Sequence, residues 1–330
     1  MLRSKVSCGN CNLTRFVSNV AVIGCGLMGS GIAAVSAGAG YNVKVLSLSD
    51  DRLKQSKDRV SGVLCKLAKN KSGGFADSAM ARIKFTTDIT TAVSDSQLVV
   101  EAVTEDLQIK RSLFQWVVVM LDFLASIEII GFVSMFRSVE RLAPNSCVLA
   151  SNTSALSVNE VAEVLSRKES FGGLHFFNPV RVMKLVEITR CSHTSEDTLK
   201  QTLVAFAESL GKTVIHCKDT PGFIVNRLLV PYLLEAIEMW ERCDASLDDI
   251  ETAMRLGAGH PMGPFELADH VGLDTLLHIL VHWAERHPEE RAFRLNATVR
   301  QLVARGRFGK KCGYGFFKYD QSGRIVKEKQ

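Results

Sequence analysis

The stretch Asn19–Gly29, NVAVIGCGLMG, constrains the fold more than any other part of the chain. Its first half is a short apolar run, rich in β-branched residues, and reads as a buried strand. Glycines 24, 26 and 29 then fall at the spacing G-x-G-x-x-G. Small and apolar residues follow over Leu27–Ala39, as in a closely packed helix. A strand, a glycine turn and a helix in that order form a phosphate cradle: Gly24 permits the tight turn, Gly26 lets backbone approach a pyrophosphate, and Gly29 lets helix and strand pack closely. The exposed N–H groups and dipole of the helix N-terminus favour the anion. Gly24, Gly26, Leu27, Met28 and Gly29 are therefore the candidate dinucleotide loop.

The rest of the first half repeats the alternation. Strands are expected at Val43–Leu46, Leu98–Ala102, Cys147–Ala150 and Gly173–Phe177, with a polar, basic helix at Asp51–Asn70. Strands alternating with helices imply a mostly parallel, doubly wound α/β sheet covered on both faces. After Thr220-Pro221-Gly222 the pattern changes to helices, expected at Phe223–Glu241, Leu247–Leu256, Pro264–Ala268 and Thr275–Glu285. The expected organisation is a leader over 1–18, a Rossmann-like domain over 19–218 and a smaller all-α domain over 219–330.

With 330 residues the chain is long enough for a sizeable core without disulfides. Nine cysteines, scattered singly, point to free thiols in a reducing compartment. The one CxxC, Cys8–Cys11, has no second pair, so no metal site is expected. A net charge of +5 without dense basic blocks argues against a nucleic-acid partner. Residues 1–18 carry Arg3, Lys5 and Arg15, no acid and no apolar signal core, which is the pattern of a mitochondrial transit peptide; a cytoplasmic leader is the alternative.

An acidic residue ordinarily ends the second strand and binds the adenosine ribose. Here that place holds Ser47, with Asp50 and Asp51 arriving late, as the cap and first turn of the next helix. A serine carries no charge to repel a 2′-phosphate, so NAD is expected over NADP by a narrower margin than usual.

Two further stretches carry chemistry: Ser151-Asn152-Thr153-Ser154 after one strand, and GGLHFFNP with MKLVE after the next. Moving a hydride to or from a carbonyl also requires moving a proton, and histidine suits that near neutral pH. His175 ends one strand, and Glu187 on the next comes within reach if the two strands pair.

At these residues the chain resembles the L-3-hydroxyacyl-CoA dehydrogenase family. GCGLMGSGIA, LVVEAVTEDLQIKRSLF, ASNTSAL, GGLHFFNPVRVMKLVEI, KDTPGFIVNRLLVPYL, AMRLGAGHPMGPFELAD and GRFGKKCGYGFFKY carry the resemblance, from about Asn19 to Tyr319. It implies NAD-dependent oxidation of L-3-hydroxyacyl-CoA in fatty-acid β-oxidation. His175 is implied as general base, Glu187 as its partner, Ser154 as a contact of substrate oxygen and cofactor, and Asn226 as a substrate contact. Glu105, Lys110, Asn178 and Lys311 are implied as further NAD contacts. A homodimer through the helical domain, in the mitochondrial matrix, is the family expectation. The basic helix Asp51–Lys71 sits where the family receives coenzyme A, with Val63 and Asn70 in place of the family's serine and lysine. Two alternatives stand beside this: a related NAD(P)-dependent hydroxy-acid dehydrogenase, and a family member with impaired or no catalysis.

The second alternative is motivated by Trp116–Phe136, WVVVMLDFLASIEIIGFVSMF, an apolar block interrupting the family pattern. As a membrane span it fails. Asp122 and Glu128 cost about 2.5–3.5 kcal/mol each, which offsets most of the apolar gain. A span would also place Leu98–Ala102 and Cys147–Ala150, strands of one sheet, on opposite sides of a bilayer. The block is read instead as an insertion foreign to the working enzyme.

Overall fold

A computed structural model of the chain describes residues 17–69, 71, 73–103, 135–154 and 156–326. The chain divides into two compact units at Asp219/Thr220.

In the first unit eight strands form one sheet in the order β3-β2-β1-β4-β5-β6-β7-β8. They are β1 (Asn19–Ile23), β2 (Asn42–Leu46), β3 (Ile83–Thr86), β4 (Leu98–Glu101), β5 (Val148–Ser151), β6 (Phe171–Phe176), β7 (Leu185–Thr189) and β8 (Thr213–Cys217). Every neighbouring pair is parallel except β6 and β7, which are antiparallel. The central strands are buried along their whole length: Leu98–Glu101, Val148–Ser151 and Phe171–Phe176 expose no residue. That is why they read as apolar runs with little alternation. From β1 the chain moves outward through β2 and β3, then returns to the other side of β1 as β4. The strand order reverses there, and such a switch point opens a crevice at the carboxyl ends of the strands.

Helix α1 (Leu27–Gly38) is almost wholly buried, as its small residues require. Helix α2 (Asp50–Ala68) is amphipathic. It buries Leu53, Ser56, Val60 and Leu64, one stripe at helical spacing, and begins with Ser49 as N-cap and Asp50 and Asp51 in its first turn. Met135 and Phe136 are the two residues of the apolar block that fall among those described. Phe136 is fully buried and meets Phe171 edge to face at 5.2 Å between ring centroids. This end of the block belongs to the core.

The second unit packs the helices Val225–Glu241, Leu247–Leu256, Pro264–Val271, Leu273–Arg286 and Ala297–Ala304 around Leu233, Leu234, Phe265, Leu276, Leu280 and Trp283. Its C-terminal turns are held by one buried carboxylate. Asp269 accepts from Phe316 N at 2.7 Å, Phe317 N at 2.9 Å and the Tyr319 hydroxyl at 3.0 Å. Burial pushes its carboxyl above the usual range, and the bonds from Phe317, Phe316 and Tyr319 pull it back. Asp269→Ala strands these donors together, and an unsatisfied buried group costs about 1–3 kcal/mol. The expected result is a clear fall in the denaturant midpoint of the second unit. An unchanged midpoint would show that water replaces the carboxylate at no cost.

Candidate functional site

The glycine loop lies at the switch point. Gly24 follows β1 with φ +104° and sits against the backbone that follows β4. A Cβ on Gly24 would come 2.4 Å from the Ala102 carbonyl oxygen, and one on Gly29 would come 1.9 Å from the Gly24 carbonyl oxygen. Gly24 N donates to Leu46 O at 3.0 Å and Ala102 N to Ile23 O at 2.7 Å, so the loop is tied to both neighbouring strands. Helix α1 begins with no side-chain cap bond and no acid in its first turn, unlike α2. A helix start of that kind suits a bound pyrophosphate. Leu27 is 62 % exposed above it, and Met28 packs partly against the core.

The Cys25 carbonyl accepts from Ser30 Oγ and from Arg59 Nη1, each at 3.1 Å. Arg59 also donates to Gln55 at 3.1 Å. The Arg59–Cys25 bond ties α2 to the glycine loop, because one turn of α2 passes beside α1. Nothing in the sequence signals this contact. Arg52, Lys54, Lys57, Lys66, Lys69 and Lys71 are exposed.

Ser47 directly follows β2 and is buried, and its hydroxyl accepts from Ser49 N at 3.4 Å. Glu105 and Lys110 lie outside the described residues, as does Asn70; Val63 packs partly against the core.

His175 and Glu187 are direct cross-strand partners in the antiparallel β6–β7 ladder. His175 Nδ1 is 2.8 Å from Glu187 Oε2; the His175 side chain is 7 % exposed and the carboxylate fully buried. The Phe177 ring packs on the imidazole at 4.5 Å between centroids. Since β6 is parallel to β5 and β5 to β4, His175 lies toward the same sheet edge as the glycine loop. The turn after β5 reaches this strand too, because Asn152 Oδ1 accepts from Phe176 N at 2.8 Å. Ser154 follows in that turn, half-buried, and Asn178 is exposed just beyond β6. Lys212 donates to the carbonyls of Val180 and Met183 and so holds the loop after Asn178.

Asn226 and Lys311 belong to the second unit. Asn226 is half-buried in the first turn of Val225–Glu241, and Lys311 pairs with Asp274 at 2.6 Å.

A family model for the NAD binding domain of 3-hydroxyacyl-CoA dehydrogenase matches residues 19–123 and 133–220, and one for the C-terminal domain of the same enzyme matches 222–319. The chain belongs to the 3-hydroxyacyl-CoA dehydrogenase family. It is 44% identical over 310 residues to the mitochondrial hydroxyacyl-coenzyme A dehydrogenase of Homo sapiens, covering 92% of this chain and 91% of that protein. The crystal structure of Mycobacterium tuberculosis FadB2 superposes with a TM-score of 0.81 at 37% identity, over 92% of this chain and 99% of that one. The (S)-3-hydroxybutyryl-CoA dehydrogenase PaaH1 of Ralstonia eutropha superposes with a TM-score of 0.79 at 34% identity, covering 92% of this chain and all of that one. As a 3-hydroxyacyl-CoA dehydrogenase family member, the chain is an NAD-dependent oxidoreductase. The family match passes over residues 124–132, inside the apolar block. Among the described residues, no helix is long and apolar enough to cross a membrane.

Proposed function

We propose that this dehydrogenase oxidises the 3-hydroxyl of an L-3-hydroxyacyl-CoA to the 3-oxo form, with His175 as general base. The observation that carries the reading is the buried 2.8 Å bond between His175 Nδ1 and Glu187. A carboxylate accepts there, so Nδ1 carries the proton and Nε2 is the basic ring nitrogen, the one proposed to take the proton of the substrate hydroxyl. When that proton transfers, the ring becomes a cation beside a buried anion, which stabilises it. NAD, when bound, takes the hydride. Gly24, Gly26, Leu27, Met28 and Gly29 hold its pyrophosphate end, with Ser47 beside the ribose. Ser154, Asn178, Glu105, Lys110 and Lys311 are proposed as the other cofactor contacts, and Ser154 and Asn226 as contacts of the substrate. The exposed lysines of α2 are proposed to face the coenzyme A phosphates.

The test is reduction of acetoacetyl-CoA against free acetoacetate by the purified chain with NADH. The proposal requires the thioester to be strongly preferred. Equal rates would favour a dehydrogenase of free hydroxy acids.

Ser47 gives a second expectation. Ser47→Asp adds an ionised acceptor at the ribose position, worth about 1.4 kcal/mol or tenfold in affinity. The NADH-to-NADPH ratio of dissociation constants is expected to shift by about that factor toward NADH. A ratio that stays fixed would mean that residue 47 does not face the ribose.

A role in β-oxidation, a mitochondrial matrix location and a homodimer are part of the same proposal. They are supported by the family, by the mitochondrial human relative and by residues 1–18. The apolar block is proposed to be dispensable. That the family match passes over residues 124–132, inside the block, supports this reading for its interior, while Phe136 at its end is part of the core. Transcripts across Gln115–Arg137 are expected to include a form lacking that interior.

A further inference from the structure

We propose that Glu101 is a positioning residue that couples the cofactor loop to the turn bearing Ser154. This rests on the proposed function of that site. Glu101 ends β4 and is 1 % exposed. A carboxylate this deep persists only when hydrogen-bonded. Its two oxygens take different partners. Oε1 accepts from Val103 N at 2.6 Å, and Oε2 accepts from Ser151 Oγ at 2.8 Å.

Each bond leads to a different half of the site. The Val103 bond holds the backbone at 102–103, the surface against which Gly24 packs so closely that a Cβ would come 2.8 Å from Val103 N. That arm sets the wall of the glycine loop. The Ser151 bond begins a relay. Ser151 is fully buried at the end of β5, and its hydroxyl oxygen accepts from Thr153 N at 3.1 Å. Thr153 Oγ1 in turn accepts from Leu156 N at 3.0 Å. These bonds fold the backbone around Ser154. The main chain repeats the link, since Asn152 N donates to Glu101 O at 2.8 Å. Asn152 then holds Phe176 N, the residue after His175. One carboxylate thus fixes the loop proposed for the cofactor and the turn proposed for the substrate oxygen in one frame. A displacement of about 1 Å between reacting groups costs up to a hundredfold in rate.

The two arms separate by experiment. Ser151→Ala removes the relay and leaves Val103 N bonded to the carboxylate. It is expected to lower kcat for acetoacetyl-CoA reduction about tenfold to a hundredfold while NADH affinity, read by fluorescence titration, falls by only about threefold, because Ser154 is one of several proposed cofactor contacts and the glycine loop is left in place. Glu101→Ala removes both arms and is expected to weaken NADH binding about tenfold as well, whereas Glu101→Gln, whose carbonyl still accepts from Val103 N, restores most of that binding. Circular dichroism and the thermal midpoint confirm that each variant is folded, and the Ser151→Ala arm stands even where Glu101→Ala does not fold. A Ser151→Ala enzyme with unchanged kcat overturns the proposal. So does one that loses NADH affinity and kcat in equal measure, which is the signature of general loosening. The NADH titration does not depend on the acyl-CoA. A wild-type protein that binds NADH but leaves acetoacetyl-CoA untouched therefore contradicts the proposed function, while the titrations of the Glu101 variants still test the cofactor arm.

Discussion

His175→Gln is expected to lower kcat for 3-hydroxyacyl-CoA oxidation by about 10²–10⁴, the usual worth of a positioned general base. NADH affinity should hardly change, because the glycine loop and α1 do not depend on the imidazole. The expectation rests on geometry. His175 is 6 % exposed, and its Nδ1 is engaged by a fully buried carboxylate directly opposite in the β6–β7 ladder. Nδ1 is then the donor to the carboxylate, which makes Nε2 the basic nitrogen of the ring. Glutamine fills much of the same volume, so the loss should not be a folding defect; a thermal midpoint near wild type checks this. Glu187→Gln keeps an acceptor for Nδ1–H but withdraws the charge that stabilises the imidazolium. It is expected to lower kcat by about tenfold or more, less than the loss of the base itself. Steady-state kinetics with matched NADH titrations separate these effects. A His175→Gln enzyme within tenfold of wild type would remove the imidazole from the mechanism.

Gly24→Ala should produce the largest loss of stability. The residue has φ +104°, where an L side chain is strained, and its Cβ would lie 2.4 Å from the Ala102 carbonyl oxygen. Strain of this kind costs about 1–3 kcal/mol and overpacking a similar amount, so the total is about 2–6 kcal/mol. The obstructing atom is backbone at the end of a central strand and cannot turn aside. NADH binding is expected to disappear with the loop's shape. Gly62→Ala is the contrast. Gly62 lies within α2, and a Cβ there meets nothing within 4 Å. It should gain about 0.5–1 kcal/mol, because alanine is the better helix former. Chemical denaturation of both variants tests the pair. Equal effects of one sign would contradict the claim that local geometry, and not glycine content, decides each outcome.

What could be read from the chain follows burial. β1, β4, β5 and β6 are nearly continuous apolar runs and were legible within a residue or two. β3 and β8 were not. IKFT and TVIHC are short edge strands with mixed exposure, so neither an unbroken apolar run nor a clean alternation marks them. The helix Ala297–Ala304 was missed for a similar reason: ATVRQLVA is short, and it buries only Val299 and Leu302. His175 and Glu187 were legible as chemistry. Their meeting needed the antiparallel turn-back of β7, which spacing alone does not supply. Arg59 on Cys25 O, Asn152 on Phe176 N and Glu101 on Ser151 depend wholly on which segments the sheet order brings together. Asp219 is a similar case. Its carboxylate accepts from Ser157 Oγ, Val158 N and Asn159 N, capping a helix some sixty positions earlier in the chain, and no local pattern announces it.

The most direct test of the central claim follows the hydrogen itself. The purified chain, with its apolar block, is given acetoacetyl-CoA and NADH deuterated at the transferable C4 position, and the product is analysed by mass spectrometry and NMR. The account predicts L-3-hydroxybutyryl-CoA with a single deuterium at C3, formed by the wild type and reduced about 10²–10⁴-fold in rate by His175→Gln. NADH consumption without deuterium at C3, or no product from a folded chain that binds NADH, would contradict it.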